Sequence, residues 1–202
     1  RVTEFYDFDV SKTNPNLIIG GTHDTGTIGY NGDPTWKWKM VVDGDGMYSL
    51  INPHNDSIMY RQHQSLDSTV RSEDGGDNWP ISIATGHQEW LEWLKGIWGY
   101  NAYITMDPRV PDSFIATWNR RSLLYMTYVG GGFTAQSYLL SNYGINDEVR
   151  HLIVHPTNFF WIMGTSTGKI YYVNPNPLTF HQVCYKRVDQ ADQVIPVCSH
   201  PN

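Results

Sequence analysis

Ser72-Glu73-Asp74-Gly75-Gly76-Asp77-Asn78-Trp79 reads as a tight turn between two strands. Glycine reaches positive φ without steric cost, so Asp74-Gly75-Gly76 marks the bend. A short carboxylate such as Asp74 accepts hydrogen bonds from backbone N–H groups inside its own turn. Ser72 adds a hydroxyl to that local network. Trp79 opens the returning strand and offers a large apolar surface for burial. An acid in so ordered a setting invites a catalytic reading, but the turn chemistry already accounts for it. Ser72, Asp74, Gly76 and Trp79 are therefore expected to be structural.

Around this octet the chain repeats. Leu50-Ile51-Asn52-Pro53, Thr105-Met106-Asp107-Pro108, Ile153-Val154-His155-Pro156 and, more loosely, Val197 to Pro201 share one form, two apolar residues followed by a polar one and proline. Their prolines lie 55, 48 and 45 residues apart, and Phe8 to Pro15 is a related segment ahead of them. Proline suits a strand end because it cannot donate to a ladder. A second apolar run follows each anchor: Leu17-Ile18-Ile19, Ile58-Met59-Tyr60, Phe114-Ile115-Ala116 and Phe160-Trp161-Ile162-Met163. Third and fourth strands then flank the turn clusters Asn31-Gly32-Asp33-Pro34, the octet, Gly130-Gly131-Gly132 and Asn174-Pro175-Asn176-Pro177. Four short strands per unit is one propeller blade, and repeat detection decides such folds. The expectation is an all-β propeller with about four blades, at roughly 4–42, 47–86, 102–141 and 149–185. A helical or loop insertion is expected at 87–101, and 194–202 should begin a fifth blade. A chain ending there reads as part of a larger propeller, or as one that another chain completes.

The octet fits the pattern S-x-D-x-G-x-x-W, the Asp-box. With the repeat, the sequence resembles the Asp-box (BNR-repeat) β-propellers, which include sialidases, xyloglucan hydrolases, sortilin-type receptors and non-catalytic secreted proteins. The resemblance implies that the box lies on the rim, away from the face where such propellers bind. Gly20-Gly21-Thr22-His23-Asp24-Thr25-Gly26-Thr27 is also similar to a stretch found in secreted members. The Arg-Ile-Pro segment of sialidases and the signature segments of the xyloglucan hydrolases are not in this chain, so neither active site is carried over.

Composition supports the strand reading and narrows the function classes. Aromatics make up 14%, with 13 Tyr, 8 Trp and 7 Phe, and 18 Gly and 11 Pro serve turns. A net charge of −6 carries no footprint for nucleic acid or an anionic membrane. No apolar run is long enough to span a bilayer as a helix. The chain opens on Arg1 without a leader, which reads as a processed protein or a fragment, and the composition reads as secreted. Cys184 and Cys198 would close a loop of roughly 15 residues, worth on the order of 3 kcal/mol if bonded. The blade assignment places them on adjacent blades, which favours free thiols.

Blade topology sorts the loops. With the octet at one end, the opposite end gathers the segments 21–27, 61–68, 118–122 and 165–169 and the links between blades. It holds His23, Asp24, Asp43, Asp45, Arg61, His63, Arg120 and Arg121, together with the insertion bearing Trp90, Trp93 and Trp98. Long loops on a rigid scaffold are where binding concentrates. His23, Asp24, Arg61, His63, Trp90, Trp93, Trp98 and Arg120 are the candidate ligand-binding residues. Periodicity also lets Trp90, Leu94 and Trp98 simply glue a short helix down, and Asp24 could cap its own loop. Asp43-Gly44-Asp45-Gly46 lacks the remaining ligands of a calcium loop, and the eight histidines show no zinc spacing. No metal or cofactor is expected, and no serine-hydrolase elbow is present. The expected function is a module binding glycan or protein partners. The alternatives are a glycoside hydrolase completed by further blades, needing two correctly spaced carboxyls, and a structural subunit of a larger assembly.

Overall fold

The computed structural model describes residues 4–33, 39–40, 44–63, 70–82, 103–118, 120–158, 160–188 and 194–198. Among the described residues, seventeen strands form four antiparallel sheets, each built from strands consecutive in the chain. The first holds β1 (Phe5–Val10), β2 (Ile18–Thr22), β3 (Gly26–Tyr30) and β4 (Lys39–Met40). The second holds β5 (Gly46–Ile51), β6 (Met59–His63), β7 (Val70–Ser72) and β8 (Ile81–Ser82). The third holds β9 (Ile104–Met106), β10 (Ser113–Trp118), β11 (Ser122–Val129) and β12 (Gly132–Leu139). The fourth holds β13 (Val149–Val154), β14 (Trp161–Thr165), β15 (Ile170–Pro175), β16 (Leu178–Val188) and β17 (Val194–Cys198).

The repeat has a physical cause in the turn after each first strand. The residue at its head accepts amide hydrogens from just ahead: Thr13 N and Asn14 N donate to Ser11 Oγ, and His54 N donates to Asn52 Oδ1. Arg109 N donates to Asp107 Oδ1, and Thr157 N and Asn158 N to His155 Nδ1. The amides of these same four residues donate to Leu17 O, Ile58 O, Ser113 O and Phe160 O, which sets the hairpin width. The polar residue of the sequence motif is thus the turn's cap, and the proline merely follows it. Neighbouring caps are buckled together. Ser11 and Thr13 hydroxyls donate to Asp56, Asn52 Nδ2 donates to Asp112 Oδ1, and Arg109 Nη1 donates to Asn158 O.

Consecutive sheets pack in series through their first strands, β5 lying against β1 and β9, and β13 against β9. Side chains alternate across a strand, so each inner sheet can bury both faces. Phe114 and Ala116 join Leu50, Tyr60, Leu124, Met126 and Phe133 between the second and third sheets. Ile115, between them in sequence, turns the other way, into Leu123, Val149, Leu152, Trp161, Met163 and Val173. Ile19, Ile51 and Met59 fill the layer between the first and second. The outward faces of the terminal sheets leave Phe5, Phe8 and Ile153 exposed. Gly21 and Gly46 are required by this stacking rather than by sharp turning. A Cβ on Gly21 would lie 1.7 Å from Met47 O, and one on Gly46 2.3 Å from Gly26 O.

Two expectations are corrected. The segment expected to open a fifth blade is the last strand of the fourth sheet, because β17 runs antiparallel to β16. The apolar-polar-proline form of 197–201 imitates the anchors, but β16 continues well past residue 184 and offers the edge on which the chain folds back. Cys184 and Cys198 are consequently direct register partners on neighbouring strands of one sheet, not residues of separate blades. Facing Cα atoms in an antiparallel pair are about 4.5–5.5 Å apart, inside the range a disulfide spans. The geometric ground for free thiols therefore falls away.

Candidate functional site

The octet forms the expected turn. Gly75 and Gly76 have φ of 75° and 90°. Gly76 N donates to Ser72 Oγ (2.9 Å), and Asn78 donates through its amide (2.8 Å) and its Nδ2 (2.7 Å) to the two oxygens of Asp74. Ser72 Oγ donates to Asp74 Oδ1, and Trp79 Nε1 to Gly76 O. These donors, Asn78 first, hold the exposed Asp74 carboxyl down to about 2. Gly75 N reaches Ser57 O in the β5–β6 turn, so the two turn types share one end of the sheets.

At the opposite end, where the β2–β3 turn meets the start of β5, four residues gather. Asp24 has φ 57° and its amide donates to Asp45 Oδ1 (2.7 Å). Tyr6 hydroxyl donates to Asp45 Oδ2 (3.4 Å). His23 Nδ1 lies 3.1 Å from Asp24 Oδ2, with side chains 50% and 81% exposed, and the His23 ring meets Tyr6 edge-on at 5.9 Å. Buried Asp45, rather than Asp24 itself, caps this loop. One ligand atom each from His23, Asp24 and Asp45 falls within 4.8 Å of the others. That donor set could hold a divalent cation, although both Asp45 oxygens already accept protein hydrogen bonds.

Beside this patch, a belt crosses the first strands of all four sheets. Asp7 lies beside Tyr48, whose hydroxyl is hydrogen-bonded to Tyr103. Tyr48 and Tyr103 rings are 5.5 Å apart, and Tyr103 meets His151 at 6.1 Å. Burial, reinforced by neighbouring Tyr103 and Asp7, pushes the Tyr48 phenol above its ordinary value. Burial, with Asp9 two residues along, raises the Asp7 carboxyl to about 6. Sequence reading misses this belt because its members are far apart in the chain. The usable signal is an acid or aromatic recurring in or just before the first strand of successive repeats.

The raised Asp7 gives a pH prediction. The fold holds its proton more tightly than the unfolded chain does, so the stabilisation is full below about pH 4 and lost as pH rises through about 6. Discounted for partial solvent screening, the effect is of order 1–2 kcal/mol. Asp7→Asn should therefore stabilise the chain at pH 7.5 and flatten its stability between pH 4 and 6. Urea melts across that range check this, and an unchanged slope would refute it.

The remaining candidates fall elsewhere. Arg61 is not a loop residue. β6 runs on to His63, and Arg61 is buried between the first two sheets. His63 ends that strand. Arg120, at φ 58°, donates to Glu148 Oε2 (3.0 Å), and its carbonyl accepts from Val149 N. It ties the third sheet to the fourth rather than reaching the Tyr6–Asp45 patch. Asp43, Trp90, Trp93 and Trp98 lie outside the described residues, as does the whole 87–101 insertion.

No protein-family model matches the sequence, and no curated protein does. Solved structures are similar in fold. A GH74 enzyme from Niastella koreensis superposes with a TM-score of 0.63 at 12% identity, covering 88% of this chain and 30% of that one. An ancestral GH74 enzyme gives 0.63 at 12%, covering 95% and 29%. The β-propeller domain of Myceliophteria thermophila Cps50 (Swd1) gives 0.60 at 7%, covering 98% and 64%. With sheets stacked in series about their first strands, this defines an all-β propeller segment. The chain spans about a third of the length of the two GH74 enzymes and under two thirds of the Cps50 domain.

Proposed function

We propose that this chain is part of a secreted Asp-box propeller that binds glycan or protein partners through the end opposite the octet. The observation that carries this reading is the patch of Tyr6, His23, Asp24 and Asp45. It combines an exposed ring, an imidazole and carboxylates on a loop held from below by Asp45. Aromatic faces beside hydrogen-bonding groups suit sugar rings and protein side chains alike. The blade assignment read from the sequence expects the tryptophans at 90, 93 and 98, which lie outside the described residues, to widen this surface. What supports reading the octet as an Asp-box is that its serine, aspartate, glycine and tryptophan bond to one another and to Asn78 within a single turn. Exposed Phe5, Phe8 and Ile153 suit contact with further blades or another chain, the structural-subunit role included.

A glycan array followed by titration of the best ligand tests this. His23→Ala/Asp24→Ala and Trp90→Ala should each weaken binding about tenfold or more with the fold intact. Unchanged binding in both would remove the surface from consideration. A glycoside hydrolase is the second reading, favoured by one observation. Asp7, raised to about 6, sits two residues from Asp9 on a first strand. Burial raises the Asp9 carboxyl as well, and a carboxyl kept protonated by burial is what a general acid requires. Glycan turnover abolished by Asp7→Asn would favour it over simple binding.

A further inference from the structure

Arg61 of β6 stands directly across the ladder from Ser49 of β5, and such partners share a face. Two positions along each strand, Met59 and Ile51 pack with Ile19 of β2, so this face looks onto the first sheet. Thr27 of β3 is opposite Gly21, whose Cα lies against Met47 of β5, so Thr27 enters the same layer from the other side. Arg61 is 7% exposed, and Ser49 and Thr27 are 0% exposed. Arg61 Nε and Nη1, Ser49 Oγ and Thr27 Oγ1 are all buried without a hydrogen-bond partner. Among the described residues no carboxylate pairs with Arg61. Among those residues, the Trp79 ring, 5.0 Å from its guanidinium carbon, is its one electrostatic contact.

These groups cannot be left as they stand. The guanidinium keeps its charge in proteins and only donates hydrogen bonds. Removing an ion from water costs several kcal/mol even after relaxation, while a desolvated cation–π contact returns about 2. Burial alone lowers the Arg61 side chain to about 10. Water would satisfy the two hydroxyls but leave the positive charge uncompensated. A small anion accepts from both hydroxyls and neutralises the guanidinium. The geometry points to an anion site in the layer between the first and second sheets. Arg61 supplies its charge, and Ser49 and Thr27 supply hydroxyl donors for a small monovalent anion of the carboxylate or halide type. Its place inside the stack makes it a cofactor of blade packing, separate from the Tyr6–Asp45 patch.

The test uses the full chain, exchanged into sodium gluconate at constant ionic strength. Chloride, formate and acetate are added in turn, with ³⁵Cl line broadening and the melting temperature as readouts. Saturable broadening, reversed by formate or acetate, and a saturable rise in melting temperature are expected. Halide that formate and acetate fail to displace would restrict the site to halide. In Arg61→Met the broadening should fall about tenfold or more, and in gluconate this variant should melt no lower than wild type. If Arg61→Met does not fold, the wild-type titrations decide alone. Broadening that is equal in both proteins, or a wild-type melting temperature flat in all three anions, overturns the proposal.

Discussion

Replacing Trp161 with alanine should cost about 3–5 kcal/mol, the range for deleting a large aromatic from a packed core. Such a loss is a large part of the 5–15 kcal/mol by which domains are stable. Trp161 is 1% exposed, lies stacked on Tyr125 at 6.1 Å and 10°, and sits in the cluster joining the third and fourth sheets. A contrasting variant makes the prediction specific. The indole Nε1 is buried without a partner, so part of what tryptophan gains by area it loses to an unmade hydrogen bond. Trp161→Phe should therefore cost less than about 1.5 kcal/mol. Urea denaturation measures both. Equal costs would mean that the indole is not packed as described.

Asp112→Ala should be the next most damaging change, at about 3 kcal/mol. Asp112 lies in the β9–β10 turn yet serves the second sheet. Its Oδ1 accepts from Asn52 Nδ2 (2.6 Å) and Tyr60 hydroxyl (3.4 Å), and its Oδ2 from Arg71 Nη2 (3.4 Å). The Arg71 side chain is 3% exposed, lies over the Tyr128 ring at 4.0 Å and also pairs with half-exposed Glu73. Removing Asp112 leaves three buried donors short of an acceptor. Its φ of 54° adds strain for alanine that asparagine tolerates. Asp112→Asn should thus cost about half as much. A double-mutant cycle checks the cause: Arg71→Met should make the loss at Asp112 smaller, by about 1 kcal/mol or more. Strict additivity would show that the two residues do not communicate.

What could be read from the sequence is what is local. The octet's turn depends on residues within four positions of Asp74, and its glycine angles and capping bonds follow from residue type. The strand β11, 122–129, is delimited by the Gly130-Gly131 turn and needs nothing distant. The anchors at Asn52, Asp107 and His155 were visible for the same reason, although the proline drew attention away from the polar cap. Misreadings begin where one sheet decides the fate of another. Arg61 resembles a loop cation until β6 is seen to run on past Tyr60 into the layer beside Met59. Val194–Cys198 resembles an anchor strand until β16 offers it an edge. The belt from Asp7 to His151 exists only after four sheets are stacked, and Asp45 caps the loop of residue 24 from another blade. Of the candidate site, His23 and Asp24 were legible because Gly26 flags their turn. Tyr6 was not, because an aromatic at the start of a strand carries no such mark.

Serial stacking about the first strands is the claim on which the patch, the belt and the Arg61 layer all depend. Nuclear Overhauser contacts on labelled protein test it most directly. The account predicts contacts from Ile51 to Asp9, whose carboxylate accepts the Ile51 amide at 2.9 Å, between the rings of Tyr48 and Tyr103, and between Tyr103 and His151. Contacts joining Ile19 or Met59 to Trp161 or Val173, as in two sheets pressed face to face, would contradict it.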